Sequence, residues 1–256
     1  MCTIVAAFGL RVDAPLVLLA NRDEAYGRPS LPPRVIEAGL VGGVDVAARG
    51  TWLGVTKGGF VVGVTNQHTT VPPDPDKRSR GQLVLELLRA GTADAARTVL
   101  LGVDVRRYNP FNLLFGDAYT LYVAYARDEA KAVVEPLAAG LHVLANDRIG
   151  SPRYPKADRA RALVAPYLGG TLTALEQALP AVLGDHTLPE AEVVPESPLG
   201  PELSRAIQAL CIHTERYGTR SSTFLALGPS GSPLRYAFAD GPPCTTPFVD
   251  HSDLLR

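Results

Sequence analysis

The sequence predicts an α+β protein, folded as a four-layer αββα sandwich of two antiparallel sheets with helices on the outer faces. Turn residues are frequent, since 24 glycines and 22 prolines divide the chain into short segments. Many short strands joined by tight turns produce such a pattern. The aliphatic, β-prone segments also alternate in groups with segments of helical spacing. Because each sheet needs one face covered, two sheets and two groups of helices build four layers.

Two hairpins are predicted in the first third of the chain. The first begins at Cys2 and pairs residues 3–8 with residues 16–20, since both runs are short, aliphatic and bounded by turn residues. The second pairs residues 52–56 with residues 60–65 across a Lys-Gly-Gly turn, whose glycines supply the positive φ of a tight turn. This part of the chain is therefore expected to be mainly antiparallel sheet.

The rest of the chain continues as helices, sheet, helices and strands. Leucines and alanines at helical spacing predict two packed helices at residues 82–89 and 93–101. The later elements are predicted as strands 112–115, 119–125, 132–136 and 141–145, helices 156–167, 172–183 and 201–210, and strands 223–227 and 235–239. The pair Gly42-Gly43 is predicted to lie between strands, so it forms no phosphate loop at a helix start. No linker interrupts the series, and residues 1–256 are predicted to form one domain.

The composition argues against several classes of partner. Lys plus Arg number 25 and Asp plus Glu number 26, so the formal net charge is −1 and no strong field attracts nucleic acid or an anionic membrane. The start of the chain lacks a basic leader, and the apolar run 14–20 is too short to span a bilayer. Cys2, Cys211 and Cys244 form an odd, scattered set that describes neither a disulfide framework nor a paired-cysteine zinc site. We expect a protein of the reducing cytoplasm without an integral membrane segment.

Cys2 is the first candidate for chemistry. Removal of Met1 would leave a thiol and a free α-amine on one residue, and an amine with a pKa of about 8 can act as the base for its own side chain. The alternative is that Cys2 is a chance occurrence, because a free cysteine commonly behaves as a small buried hydrophobe. Taken alone, the position of Cys2 does not decide between the two.

Four consecutive polar residues, Asn21 to Glu24, follow the predicted strand 16–20. Because that strand pairs with the strand that starts at Cys2, the hairpin brings this cluster towards the thiol. An arginine beside the thiol would favour the thiolate, and a carboxylate would hold the new amine. The alternative is a charged, solvated strand end.

Several short segments resemble, in their order along the chain, the NRDE family, also called the transport and Golgi organisation protein 2 family. The resemblance begins with Met-Cys-Thr at the start and Asn-Arg-Asp-Glu at 21–24. It extends over most of the chain through Arg-Gly-Thr-Trp-Leu-Gly at 49–54, Thr-Asn at 65–66, Ser-Arg-Gly at 79–81, Tyr-Asn-Pro-Phe-Asn at 108–112, Leu-Ala-Asn at 144–146 and Tyr-Gly-Thr-Arg-Ser-Ser at 217–222. Chance is a poor explanation for this many matches in family order.

The family in turn resembles the N-terminal-nucleophile hydrolases, in the branch of bile-salt hydrolase and penicillin V acylase, whose fold is the same αββα sandwich. In that branch the first cysteine attacks an amide, an Arg and an Asp follow the first hairpin, two Asn side chains attend the oxyanion and the amine, and a later Arg completes the site. The resemblance implies catalytic roles for Cys2, Arg22, Asp23, Asn66, Asn146 and Arg220.

One feature departs from that branch, because the hydrolases separate the early Arg and Asp by two residues and here the two are adjacent. Adjacent residues on a strand point to opposite faces, so Arg22 and Asp23 reach Cys2 together only if the strand ends or bulges there. Asn21 or Glu24 are the alternatives for these roles. The substrate-binding candidates are Asn21, Glu24, Trp52 and His68.

Other readings of single residues stay open. Asn66 suits an oxyanion donor, and Asn146 suits an acceptor that orients the amine, although either is also common in turns. Arg220 could equally be a surface residue, and His68 a packed histidine. Cys211 and His213 place two soft ligands on one strand face, but without a second pair we expect no metal site.

Two functions remain as hypotheses. The first is an N-terminal-cysteine hydrolase or acyltransferase that cleaves a linear amide or a similar acyl bond, with no cofactor and a small-molecule substrate that carries an apolar acyl part. The second is a non-catalytic binding or transfer protein on the same fold, for which the family resemblance suggests haem or an acyl lipid such as acyl-CoA as the ligand. The first predicts turnover through Cys2, and the second predicts binding alone.

Overall fold

The computed structural model describes residues 2–190, 194 and 200–256, and this part of the chain contains two antiparallel sheets. The strands are β1 Cys2–Phe8, β2 Leu16–Ala25, β3 Ser30–Glu37, β4 Leu40–Asp45, β5 Leu53–Thr56, β6 Val61–Asn66, β7 Phe111–Gly116, β8 Leu121–Ala126, β9 Val133–Pro136, β10 Gly140–Leu144, β11 Tyr217–Leu227, β12 Pro233–Ala239 and β13 Val249–Asp250. One sheet has the order β10-β1-β2-β11-β12-β13, and the other runs from β3 to β9 in sequence order.

Helices cover the outer faces of both sheets. They are α1 Arg80–Ala90, α2 Ala93–Gly102, α3 Pro155–Val164, α4 Leu172–Leu183 and α5 Pro201–Ala206. The first two share a buried core with β6 and β7, and α3 and α4 share another with β1, β2 and β11. A third core lies between the sheets, which confirms the four-layer αββα sandwich. None of the helices in the described ranges combines the length and the apolar character needed to cross a membrane.

The alternation of side chains along β1 explains how one short strand serves two cores. Ile4 and Ala6 face the other sheet, whereas Val5 and Ala7 face α3 and α4. Successive residues of a strand point to opposite faces, so a strand buried on both sides is apolar throughout. The end of β1 at Cys2 inherits this geometry, and the thiol lies on the face between the sheets.

The structure corrects the prediction for the chain between residues 30 and 45. Two strands lie there, β3 and β4, and Gly42-Gly43 lies inside β4 instead of between strands. A Cβ at Gly42 would come within 2.8 Å of Leu53 O, and one at Gly43 within 2.3 Å of the Trp52 ring. The glycines therefore serve close packing. Strand β3 includes two prolines, which are tolerated because β3 forms the edge of its sheet.

Several further boundaries differ from the sequence prediction. Strand β11 begins at Tyr217 and not at residue 223. Strand β2 continues to Ala25, so the Asn-Arg-Asp-Glu segment lies within the strand and not after it. Helix α3 ends at Val164, followed by a 3-10 turn, and α5 ends at Ala206. The Lys-Gly-Gly turn between β5 and β6 is confirmed, with Gly59 at a φ of 82°.

Candidate active site

Strand β2 holds the centre of the site because it lies between β1 and β11. Cys2 is the cross-strand partner of Arg22 on one side, and Ser221 is the partner of Arg22 on the other. The expected approach of the polar tetrapeptide to the thiol is therefore present in the structure. The bulge that would turn Arg22 and Asp23 to the same face is not found in β2, which pairs with β1 without a register shift. The irregularity lies instead in β11, between Thr219 and Ser221, where Arg220 is the extra residue.

Cys2 is partly exposed and opens into a cleft of about 480 Å³ at one end of the sandwich. Burial raises the pKa of the Cys2 thiol, and the Asp23 carboxylate acts in the same direction. The Arg22 guanidinium and the backbone N–H of Asp23 oppose this rise by favouring the thiolate. A base at the thiol is therefore needed for nucleophilic attack at neutral pH.

Arg22 is a buried arginine with unused donors. Its side chain lies under the cleft, with Cζ 4.4 Å from the centre of the Trp52 ring and a terminal nitrogen 3.6 Å from the Asp45 carboxylate. Neither terminal nitrogen makes a hydrogen bond to any described residue. Buried donors are nearly always satisfied, so these two nitrogens stand out as unsatisfied donors beneath the cleft.

Asp23 lies on the opposite face of β2, where it forms a buried polar network with β11 and α3. Its Oδ1 accepts a hydrogen bond of 2.7 Å from Thr219 Oγ1, and its carbonyl accepts one of 2.8 Å from the Tyr217 hydroxyl. Burial raises the pKa of Asp23, and the nearby Lys156 ammonium limits that rise. Burial in turn lowers the pKa of Lys156, whose Nζ donates to Ile207 O. Both groups interact with the Cys2 thiol, so Asp23 acts on it from behind the strand.

Asn66 and Asn146 come from different sheets and meet at the end of the sandwich. Asn66 ends β6 and lines the cleft of Cys2. Asn146 follows β10, is completely buried, and donates from Nδ2 to Asn66 O at 2.9 Å. Its Oδ1 accepts no hydrogen bond from the described residues. The two asparagines are therefore linked, and Asn146 keeps an acceptor available.

The remaining candidates are placed in four different surroundings. Glu24 and Trp52 line the cleft with Cys2. His68 lies in an adjoining cleft of about 680 Å³. Asn21 is 1% exposed and its amide faces the helices. The Arg220 guanidinium donates to Tyr26 O, and Arg220 does not line the cleft.

Asn21 has a structural role in this arrangement. Its Nδ2 donates to Leu183 O and to Leu210 O, both at 2.9 Å, and its Oδ1 accepts from Ser222 Oγ at 2.5 Å. All of its hydrogen-bonding groups are therefore used within the core. Because Asn21 alternates with Arg22 along β2, it faces away from the cleft.

Two charged residues that were not among the predicted site residues also enter the site. Arg80 begins α1, lines both clefts and donates to Pro110 O at 3.1 Å. Burial lowers the pKa of Arg80, and the Cys2 thiolate and Glu24 oppose that change. Arg80 belongs to the Ser-Arg-Gly segment, so the motif was a usable signal. Lys156 offered no signal, because a lysine in the first turn of a helix is usually a surface residue.

Comparison with known proteins places the chain among relatives of one family and one fold. A mouse (Mus musculus) Transport and Golgi organization 2 homolog is 26% identical over 250 residues, covering 90% of each chain.

Two solved structures are similar in fold. A Caenorhabditis elegans N-acylethanolamine-hydrolyzing acid amidase ortholog has a TM-score of 0.53 at 14% identity, covering 90% of this chain and 93% of that one. The C2A mutant of conjugated bile acid hydrolase from Clostridium perfringens has a TM-score of 0.52 at 13% identity, covering 99% and 93%. The fold is therefore that of the N-terminal-nucleophile hydrolases, as the resemblance implied. The family model described as Transport and Golgi organisation 2 matches residues 1–236, and this chain belongs to that family.

Proposed function

We propose that this protein is an N-terminal-cysteine hydrolase or acyltransferase that acts on a C–N amide bond, with Cys2 as the nucleophile. The observation that carries the proposal is the Cys2 thiol in a cleft, with the buried donors of Arg22 on one side and the carboxylate network of Asp23 behind it. The fold supports it, since two proteins of the same fold are named as an acid amidase and a conjugated bile acid hydrolase, the second described as a C2A mutant. The family relatives carry no activity in their names.

The proposed reaction begins with removal of Met1, which lies outside the described residues. The freed α-amine takes the proton of the Cys2 thiol, and the thiolate attacks the carbonyl carbon of the amide. The ammonium then gives its proton to the leaving nitrogen as the C–N bond breaks, which leaves a thioester on Cys2. Water attacks the thioester with the amine as base, and the acid and the free thiol are released.

Four side chains besides Cys2 have defined parts in this reaction. The Asn66 amide and the Arg22 guanidinium stabilise the oxyanion, because both line the cleft beside the thiol. The free Oδ1 of Asn146 accepts a hydrogen bond from the α-amine. Asp23 stabilises the ammonium that forms when the amine takes the thiol proton.

The cleft favours a substrate with an anionic group. Its lining includes five cations, Arg22, Arg28, Lys77, Arg78 and Arg80, and four anions, Glu24, Asp45, Asp74 and Asp23, of which Asp23 directs its carboxylate to Thr219 on the opposite face of β2. Two of the anions, Glu24 and Asp45, pair with Arg28, so the cationic side chains of Arg22 and Arg80 are only partly neutralised. We therefore propose an acyl compound that carries a carboxylate or a phosphate.

Substitution of Arg80 tests this choice of substrate. Arg80→Gln is expected to raise KM about 10-fold for anionic acyl substrates and to change KM little for neutral ones, because one charge-assisted hydrogen bond is lost. Steady-state kinetics on matched anionic and neutral amides measure this. Arg97→Gln, an exposed arginine of α2 distant from the cleft, is the control. An equal change for both substrate types would contradict an anion-binding role for Arg80.

Trapping of the acyl-enzyme tests the reaction itself. Protein expressed with Met1 removed is incubated with a panel of p-nitroanilides and acyl-homoserine lactones, and its intact mass is measured. We expect an added acyl mass on the peptide that begins at Cys2. Protein from a host with inhibited methionine aminopeptidase is the matched control, because it keeps the thiol and blocks the amine. Acylation of both forms at equal rates would exclude the amine as base.

Substitution of Asp23 tests the electrostatics through pH. Because burial raises the pKa of Asp23, its carboxylate forms at a higher pH than an ordinary aspartate, and activity is lost as pH falls through that raised value. Asp23→Asn removes this titration. It also removes the negative charge that stabilises the ammonium group of Cys2. The acidic limb of kcat/KM is expected to move to lower pH, with kcat reduced about 10- to 100-fold. An unchanged pH profile in Asp23→Asn would overturn this role.

The alternative function, binding or transfer of a small molecule without turnover, uses the same cleft. Haem fits the cleft poorly, since its broad macrocycle needs apolar walls and the lining of this cleft is mainly charged or polar. An anionic acyl compound such as an acyl-CoA fits better. Saturable binding of acyl-CoA without any acyl-enzyme in the Met1-free protein would favour this alternative.

A further inference from the structure

Four metal-ligating side chains meet in a cluster away from the Cys2 cleft. They are His186, Cys211, His213 and Cys244, and their ligand atoms all lie within 4.8 Å of one another. His186 follows α4, Cys211 and His213 lie between α5 and β11, and Cys244 lies between β12 and β13. Three separate segments therefore converge on one point. The sequence did not show this, because His186 and Cys244 are far along the chain from the pair Cys211 and His213.

The spacing matches a tetrahedral zinc ion. Zn–S bonds of about 2.3 Å and Zn–N bonds of about 2.0–2.1 Å place the ligand atoms of a tetrahedron about 3.3–3.8 Å apart. Here the two sulfur atoms are 3.7 Å apart, and His213 Nε2 lies 3.6 Å from Cys211 Sγ and 3.2 Å from Cys244 Sγ. Each of these three edges is close to the length that a shared zinc ion requires.

His186, the fourth side chain of the cluster, is also oriented to bind a metal ion. His186 Nδ1 lies 2.9 Å from Cys211 O, and a carbonyl oxygen only accepts, so Nδ1 carries the proton. This leaves the lone pair on Nε2. A histidine that donates one ring N–H to a backbone carbonyl and presents the other nitrogen is the usual arrangement of a zinc ligand.

The backbone is also shaped to close the cluster. Gly184 ends α4 two residues before His186, and a Cβ there would lie 3.2 Å from both Cα and Cβ of Cys244 and 2.1 Å from Pro180 O. The absence of a side chain at Gly184 lets the Cys244 segment approach the helix end. A hydrogen bond of 2.9 Å from Cys211 N to Asp185 O joins the other two segments.

We propose that His186, Cys211, His213 and Cys244 bind a structural zinc ion. Four protein ligands leave no open position, which is typical of structural sites, and two thiolates with two imidazoles favour zinc over harder cations. The ion would fix the segments that support β2 from behind. Asn21 donates to Leu183 O and Leu210 O, next to the ligand-bearing loops. Thr219, which donates to Asp23, accepts from Ile212 N between two ligands.

A disulfide between Cys211 and Cys244 is the competing arrangement. The sulfur atoms are 3.7 Å apart, well beyond the bonded distance of about 2.05 Å. A disulfide would also leave both histidines without a role, whereas zinc uses all four side chains.

The full chain, purified without chelator, is analysed for metal by mass spectrometry. We expect one zinc per chain in wild type, loss of zinc in Cys211→Ser and Cys244→Ser, and full zinc content in Cys2→Ser and His142→Gln. Removal of zinc by chelator is expected to lower Tm by about 10 °C. Because a variant can fail to fold, cobalt is also exchanged into the wild-type protein. Its absorption spectrum is expected to show the d–d bands of tetrahedral cobalt and a thiolate-to-cobalt charge-transfer band.

Counting of thiols in the unfolded, unreduced protein separates the two arrangements. Zinc predicts three reactive thiols after chelation, and a disulfide predicts one. Wild type without zinc, a cobalt protein without these bands, or a count of one thiol would each overturn the proposal. None of these measurements depends on enzymatic activity. The zinc proposal can therefore be overturned while the proposed hydrolase activity is supported, and the reverse.

Discussion

Cys2→Ala is expected to lower kcat/KM by about 10³-fold or more on any amide that the protein hydrolyses, because it removes the only group that forms the covalent intermediate. The α-amine, Arg22 and Asn66 stay in place, so substrate binding should be retained and the loss should fall on kcat. Kinetics on the best substrate of the panel, together with equilibrium binding to the variant, measure both effects.

The control for this substitution is structural. Cys2 lies at the start of β1 and is partly exposed, so Cys2→Ala removes little buried volume and should leave Tm nearly unchanged. Cys2→Ser keeps the shape and is also expected to be slow, since a hydroxyl is harder to deprotonate than a thiol. Retained turnover in Cys2→Ala with an unchanged Tm would rule out Cys2 as the nucleophile.

Asn21→Ala is expected to destabilise the folded protein by about 3 kcal/mol, which corresponds to a fall in Tm of about 6–12 °C. The buried amide of Asn21 satisfies the carbonyl groups of Leu183 and Leu210 and the hydroxyl of Ser222. Removal leaves these groups without a partner in a core that excludes water, and such groups cost more than an exposed hydrogen bond. Thermal and denaturant unfolding measure the change.

Asn109→Ala is the matched control for burial. Asn109 also forms two backbone hydrogen bonds through its amide, donating to Asp74 O and accepting from Asp74 N, both at 2.8 Å. These bonds lie at the surface, so water replaces the lost partner and the cost should be about 1 kcal/mol or less. Equal destabilisation by the two substitutions would contradict the structural role of Asn21.

The side chains of Asn21 and its neighbours point in different directions, which a sequence motif alone cannot resolve. The tetrapeptide from Asn21 to Glu24 marks a site, but strand alternation divides its members between two faces. Arg22 and Glu24 line the cleft, whereas Asn21 turns towards the helices. Asp23 acts from the rear because its network comes from β11 and α3. Each assignment depends on what covers each face, which only the packed structure defines.

The proposed zinc ligands also could not be identified from a motif, because they are far apart in the sequence. Cys211 and His213 are a recognisable pair in the sequence, but their partners come from other loops. Ligands that come from converging loops have no fixed spacing along the sequence, so a sequence pattern does not reveal them. Arg80 and Lys156 are similar cases, since their charges become significant only through burial beside Cys2.

The sequence by itself determined the layers, the hairpin that begins at Cys2 and the family, because periodicity, turn residues and ordered motifs are properties of neighbours along the chain. The tertiary structure decided which side chains share the cleft, which of them support it from behind, and where the histidines and cysteines meet. The physical reason is that burial, pKa and ligand geometry depend on atoms that are close in space and distant in sequence.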